Sequence, residues 1–77
     1  MENKTTKEIL VFKTNIRYRK QINVVRRHIE TAPQILKWNV DLHDIDKILR
    51  IESLDLHPAE VVSLVKEAGY YCEELKD

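Results

Sequence analysis

A chain of 77 residues, 43% hydrophobic and 34% charged with a formal net charge of zero, has room for one hydrophobic core and is not disordered in composition. We therefore expect a flexible N-terminus over residues 1–7 and one domain over residues 8–77. The longest apolar run, Ile9–Phe12, is too short to span a membrane, and one cysteine cannot form an internal disulfide, so we expect a cytoplasmic protein.

The first part of the chain predicts a strand, a loop and a helix. Residues that favour β-structure indicate a strand at about Glu8–Lys13, and the polar stretch Asn15–Arg19 is typical of a loop. Apolar residues then recur at helical spacing at Ile22, Val25 and Ile29. This spacing predicts a helix over about Tyr18–Thr31 with an apolar stripe along one side.

Two strands joined by a turn should follow. Leu36, Trp38, Val40 and Leu42 alternate with polar residues, which is the period-two pattern of a strand with one solvent-facing side. A short polar turn over residues 43–46 leads to a third strand at Lys47–Glu52. The two strands are expected to pair as a hairpin.

The last part of the chain predicts a second helix and a fourth strand. Pro58 suits the first position of a helix, and Gly69 suits a left-handed residue just beyond its end. The final strand is expected over about Tyr70–Leu75. The order β, α, β, β, α, β predicts an α+β fold of the ferredoxin-like type, with a four-stranded antiparallel sheet and two helices on one face.

Four short stretches occur in a recognisable order: VRRHI at residues 25–29 ahead of Pro33, WNVDL at residues 38–42, HPAE at residues 57–60 and EAGY at residues 67–70. In their joint order and spacing, residues 8–75 resemble the heavy-metal-associated (HMA) domain, which is found in copper chaperones and at the N-terminus of metal-pumping P-type ATPases. The resemblance implies the same ferredoxin-like fold.

The first loop departs from the family pattern. The family typically carries Gly-Met-x-Cys-x-x-Cys there, whereas residues 15–21 read NIRYRKQ. Counting back from the end of the first helix places Tyr18 and Gln21 at the two cysteine positions, Ile16 at the buried methionine and Asn15 at the glycine. The resemblance therefore implies that both thiolate ligands of the metal site have been lost. Asparagine tolerates a left-handed backbone, so the loop shape is expected to survive.

The replacements change the chemistry of the loop. A phenol is protonated near neutral pH and an amide oxygen is a hard neutral ligand, so neither replaces a thiolate toward a soft ion. Free N–H groups at a helix N-terminus and nearby cations instead favour an anion or an acidic side chain. We predict an anion- or partner-binding surface formed by Arg17, Arg19, Lys20, Arg26 and Arg27. The alternative interpretation of these residues is a solvated face.

Charge is divided unevenly along the chain. Residues 1–37 carry nine Lys or Arg and three acidic residues, whereas residues 38–77 carry four and ten, so that the two parts have net charges of +6 and −6. This division predicts a protein partner with an acidic surface or self-association through the oppositely charged parts. Ion pairing inside the fold is the alternative explanation.

The remaining residues point to no other chemistry. Strands one and three offer only Phe12 for stacking on bases, so we expect no nucleic-acid partner, and we expect no membrane partner, no cofactor and no enzymatic activity. The expected function is a protein-interaction or regulatory module without the thiolate metal site. The alternative is heavy-metal binding or transport through non-standard ligands, drawn from aspartates and from His28, His43, His57 and Cys72.

Overall fold

The computed structural model describes residues 6–76, and its elements follow the predicted order. They are β1 (Lys7–Thr14), α1 (Arg19–Ile29), β2 (Ile35–Asp41), β3 (Ile48–Leu54), α2 (Pro58–Glu67) and β4 (Cys72–Glu74). The strands form one antiparallel sheet in the order β2-β3-β1-β4. The predicted ferredoxin-like fold and the predicted hairpin of β2 and β3 are confirmed. Most of the predicted flexible N-terminus lies outside the described residues, and β1 begins at its last residue.

The hydrophobic core lies between the sheet and the two helices. The central strands contribute Phe12, Leu49 and Ile51, which are fully buried. The helices contribute Val25, Ile29, Val61 and Val65, also fully buried. Burying one such side chain contributes about 1.5–3 kcal/mol, so the apolar stripes predicted from the sequence are what hold the helices on the sheet.

A β-bulge at the start of β2 interrupts the predicted alternation. Ile35 lies opposite Ser53 and Lys37 lies opposite Glu52. Between these two pairs, β2 advances by two residues whereas β3 advances by one. The extra residue, Leu36, has no partner on β3 and is 51% exposed. The prediction that Leu36 shares the buried side of the strand is therefore wrong, because a bulge turns one residue out of the alternation.

The second helix ends in a Schellman motif. Gly69 has φ +99°, its N–H donates to the carbonyl of Lys66 at 2.9 Å, and the N–H of Tyr70 donates to the carbonyl of Val65 at 3.2 Å. This is the left-handed C-terminal position predicted for Gly69. Neither helix in residues 6–76 has the length and apolar character that crossing a membrane would require.

Two strand boundaries differ from the predicted ones. β3 continues to Leu54, because Ser53 still pairs with both of its neighbours in the sheet, Glu8 and Ile35. The last strand is shorter than predicted and spans only Cys72–Glu74. Its expected first residue, Tyr70, instead completes the cap of α2.

Candidate functional site

Three loops meet at the end of the sheet where α1 begins, and we call residues 15–18, 42–47 and 68–71 the loop end. The hydroxyl of Thr14 donates to the carbonyl of Lys47 at 2.7 Å, and the N–H of Thr14 donates to the carbonyl of Asp46 at 3.1 Å. The side-chain oxygen of Asn15 accepts a hydrogen bond of 2.8 Å from the N–H of Tyr71. The end of β1 thus holds all three loops in one arrangement.

The first loop is held by a side-chain hydrogen bond of Asn15, not by the left-handed backbone conformation expected at this residue. Positive φ angles within residues 6–76 occur at Lys47, Asp55 and Gly69, so Asn15 does not use the left-handed backbone. Its side chain instead bonds the third loop. Ile16, placed by the resemblance at the position of a buried methionine, is fully buried and anchors the loop in the core.

Gln21 closes the loop before α1. Tyr18 is the N-cap residue, with φ −126° and ψ 153°. The Gln21 side-chain oxygen accepts hydrogen bonds from the N–H of Arg17 at 2.7 Å and from the N–H of Tyr18 at 3.2 Å. A glutamine at the third helical position that reaches back to the N-cap is one half of a capping box. The residue at a predicted cysteine position therefore stabilises the helix.

The two residues at the predicted cysteine positions do not fit a soft metal ion. The Gln21 oxygen already accepts two backbone hydrogen bonds, and amide oxygen is a hard ligand. Tyr18 offers a phenol on a side chain that is 59% exposed. No thiolate lies in the first loop, where the family has two.

The alternative metal ligands are not brought together. His28 lies on α1 with its Nδ1 beside the carbonyl of Val24 at 3.3 Å, while His57 precedes α2 at the opposite end of the fold from His43. Cys72 is 3% exposed, and burial raises the pKa of its thiol to about 12. Within residues 6–76, no group of three or more His, Cys, Asp or Glu side chains has the arrangement of a metal site.

The aspartates of the β2–β3 connection shape its turn. The Asp41 carboxylate accepts a hydrogen bond of 3.0 Å from the N–H of His43. The Asp44 carboxylate accepts one of 2.8 Å from the N–H of Asp46. In both, an aspartate accepts from the backbone N–H two residues later, a common way to make a turn.

The five predicted anion- or partner-binding residues are all exposed, but their surroundings differ. Arg26 forms an ion pair of 3.5 Å with Glu30, and its guanidinium carbon lies 5.3 Å from the centre of the Trp38 ring. The other four take part in none of the ion pairs formed by residues 6–76: Arg17, Arg19, Lys20 and Arg27. Arg26 therefore differs from the other four cations, because it alone already has an acidic and an aromatic neighbour in the described part of the chain.

Internal pairing accounts for little of the uneven charge. Two ion pairs join the basic and acidic parts of the chain, Lys7 with Glu52 at 3.4 Å and Lys13 with Asp46 at 3.7 Å. Neither involves the first helix. Of the cations on α1, Arg26 pairs with Glu30 within the same helix, and Arg19, Lys20 and Arg27 form no ion pair in residues 6–76.

Apolar side chains accompany the cations at the loop end. Ile45 is 90% exposed at the tip of the β2–β3 connection, and Tyr18 and Tyr71 are about half exposed. The Tyr71 hydroxyl donates to the Glu73 carboxylate at 2.6 Å. Sequence reasoning did not identify Ile45 or Tyr71 as surface residues. The signal for Ile45 was available, since an isoleucine between two aspartates in a turn is rarely buried.

The open face of the sheet lacks stacking aromatics on its two central strands. Phe12, the only aromatic residue of strands one and three, is fully buried beneath the helices. RNA-binding domains of this topology stack bases on aromatic side chains of those strands.

No known family profile and no curated protein matches this chain in sequence. Its structure is similar to that of the apo HMA domain of the copper chaperone for superoxide dismutase, with a TM-score of 0.76, 18% identity, and coverage of 99% of this chain and 74% of the other. It is also similar to the N-terminal domain of PacS from Synechocystis, with a TM-score of 0.75, 17% identity, and coverage of 90% and 98%.

A third similar structure is oxidized MerP from Ralstonia metallidurans, with a TM-score of 0.78, 11% identity, and coverage of 92% of this chain and all of the other. Identities this low establish the fold alone. The resemblance seen in the sequence is confirmed at that level: this chain has the fold of the heavy-metal-associated domain, with a single cysteine that lies in its last strand rather than in its first loop.

Proposed function

We propose that residues 8–77 form a cytoplasmic protein-interaction module, built on the fold of metal-binding chaperone domains, that binds an acidic surface of a partner protein. The docking surface comprises the loop end and the exposed side of α1. One observation carries this proposal. Three cations surround the first turn of α1, which contains no acidic residue, and none of the three forms an ion pair within residues 6–76.

The position of these cations is unfavourable for the isolated chain. The N-terminus of a helix carries partial positive charge, so each cation placed there costs about 0.3–1 kcal/mol. Arg17, Arg19 and Lys20 also repel one another. Carboxylates on a partner would relieve both effects at once, and the free energy of binding would include that relief.

The loop end has the composition and order of a protein interface. Tyrosine and arginine are enriched among residues that contribute most to binding between proteins, and Tyr18, Arg17 and Arg19 lie together in sequence on the exposed surface. The hydrogen bond that Thr14 donates to Lys47 and the one that Asn15 accepts from Tyr71 hold the loops before any partner arrives. A surface ordered in advance loses less entropy on binding.

Charge reversal provides a sharp test. The variant Arg19→Glu with Lys20→Glu removes two docking cations and should stabilise α1, because acidic residues are favourable at a helix N-terminus. The control, Lys7→Glu with Lys76→Glu, changes the net charge equally at the opposite end of the sheet, where Lys7 lies opposite Leu54 and Lys76 lies beside His57. Immobilised wild type, variant and control are incubated with an extract of the organism that encodes the chain, and the bound proteins are quantified by mass spectrometry.

We expect to find proteins that bind both wild type and the control and that are released by salt. These proteins should not bind the Arg19→Glu, Lys20→Glu variant, even though that variant is expected to be the more stable protein. The same bound proteins on all three would contradict the proposal. Sedimentation of the three proteins shows whether the acidic surface belongs to another protein or to a second copy of this chain. Salt-sensitive dimers that wild type forms and the variant does not would identify a second copy as the partner.

A further inference from the structure

β2 is an open edge of the sheet. It pairs with β3 on one side and with no other strand in residues 6–76. Proteins commonly protect such an edge with a bulge, a lysine or a proline. Here the bulge at Leu36 and the lysine at position 37 protect only the beginning of the strand. The stretch from Trp38 to Asp41 continues in regular register without any of these features.

A groove runs between this open edge and α1. One part of it has a volume of about 420 Å³ and a lining of both apolar and charged side chains. Residues that line it include Ile22, Arg26, Leu36, Trp38 and Val40. A second depression of about 310 Å³ continues toward Arg19 and His43 and shares Ile22, Asn39 and Val40 with the first. The two form one channel along β2, which we call the β2 groove.

The charge of the β2 groove is positive. Four cations line its two parts, Arg19, Arg26, Lys37 and Arg50, against two carboxylates, Glu30 and Asp41. Arg26 lies over Trp38 and pairs with Glu30 one helical turn further along α1. An incoming acidic side chain would take the place beside Arg26 that the Glu30 carboxylate now occupies. An occupant that matches this surface carries apolar and acidic side chains together.

We propose that the β2 groove binds an extended acidic segment of a partner protein, which adds to the sheet as a fifth strand beside β2. Backbone hydrogen bonds to the open edge would supply affinity, and side chains on alternate residues would supply specificity. Residues on one side of the added strand would face α1, where Ile22, Leu36 and Val40 favour apolar groups. Residues on the other side would lie beside Lys37, which favours carboxylates. The β2 groove shares Arg19 with the docking surface of the proposed function, whereas Arg17 and Lys20 lie outside the groove lining.

The single tryptophan of the chain, Trp38, lies in the groove and reports its occupancy directly. The probe is a blocked peptide of alternating glutamate and valine, seven residues long. Its matched control carries N-methyl groups on alternate residues, which remove hydrogen-bond donors from one edge and keep every side chain. We expect the first peptide to shift Trp38 fluorescence saturably and the methylated peptide to bind at least about tenfold more weakly.

Variants separate this proposal from the one above. Arg26→Gln should weaken peptide binding several-fold, whereas Arg27→Gln, which alters a neighbouring cation outside the groove lining, should leave it unchanged. Leu36→Ser should also weaken binding, because it removes an apolar contact without adding charge, and because Leu36 is exposed the variant should remain folded. Arg17→Glu removes a cation of the loop end and should not affect the peptide.

Three results would overturn the proposal. The first is equal affinity for the methylated and unmethylated peptides, since strand addition needs the backbone donors. The second is the absence of any Trp38 response at millimolar peptide. The third is a shift of Trp38 fluorescence with protein concentration alone, which would make a second copy of the chain the occupant.

Discussion

The side-chain oxygen of Gln21 lies 2.7 Å from the backbone nitrogen of Arg17 and accepts its hydrogen. The same oxygen accepts the N–H of Tyr18, so a single amide closes the loop that precedes α1. The sequence resemblance predicts that this position corresponds to a cysteine of the heavy-metal-associated domain. In this chain Gln21 stabilises the start of α1, and substitutions at Gln21 test that role.

Removing the amide should destabilise the chain. Gln21→Ala leaves the N–H groups of Arg17 and Tyr18 without their acceptor, and loss of such a cap costs about 1 kcal/mol. Gln21→Glu keeps the acceptor and adds a negative charge beside three cations, so it should be at least as stable as wild type at low salt. Urea unfolding of the three proteins measures the difference. Equal stability of wild type and Gln21→Ala would contradict the role of the cap.

Restoring the two cysteines should create a metal site. We expect Tyr18→Cys with Gln21→Cys to bind Cu(I), because two thiolates at a helix N-terminus suit a soft ion. Wild type should not compete with a chromophoric Cu(I) chelator, and each single variant should compete weakly. If the double variant is no better than the single ones, the alignment of the loop with the family pattern is wrong. One-site submicromolar binding by wild type would support the alternative of a metal carrier.

Cys72 should make stability depend on pH in the alkaline range. Burial raises the pKa of its thiol from 9.0 to about 12, with Lys66 acting weakly in the opposite direction. Between these values the folded chain retains a proton that the unfolded chain has released. The free energy of unfolding is therefore unaffected by this group below about pH 9 and falls as the pH rises toward 12.

The measurement compares urea unfolding of wild type and Cys72→Ala from pH 8 to 11. The variant should be less stable at pH 8, because it leaves a small cavity, but its stability should decline less steeply above pH 9. Parallel curves would show that the thiol does not titrate differently in the two states. Slow alkylation of folded wild type at pH 8 is a second expected result.

A buried hydroxyl offers a route to a more stable chain. Ser53 is fully buried, and its Oγ has no hydrogen-bond partner. An unsatisfied buried polar group costs about 1–3 kcal/mol, so Ser53→Ala should raise the free energy of unfolding by about 1 kcal/mol. Ser63→Ala, at an exposed position on α2, is the control and should have little effect. A destabilised Ser53→Ala protein would reveal a bond to the hydroxyl.

Local patterns in the sequence determined most of the fold. Helical spacing of Val25 and Ile29 and alternation of Trp38 and Val40 predicted buried sides that the structure confirms, because periodicity records which side of an element leaves water. Gly69 predicted the end of α2 for an equally local reason, since few other residues accept its positive φ. The cations at the start of α1 were also visible in the chain alone.

Only the tertiary structure decided what surrounds the cations at the other end of α1. Arg26 and Arg27 are neighbours in sequence, yet Arg26 lies over Trp38 of β2 while Arg27 forms no ion pair in residues 6–76. The bulge at Leu36 and the bond between Asn15 and Tyr71 likewise join residues far apart in the chain. Such contacts depend on how elements pack, and packing is set by the shapes of many side chains at once, which no local pattern of residues encodes.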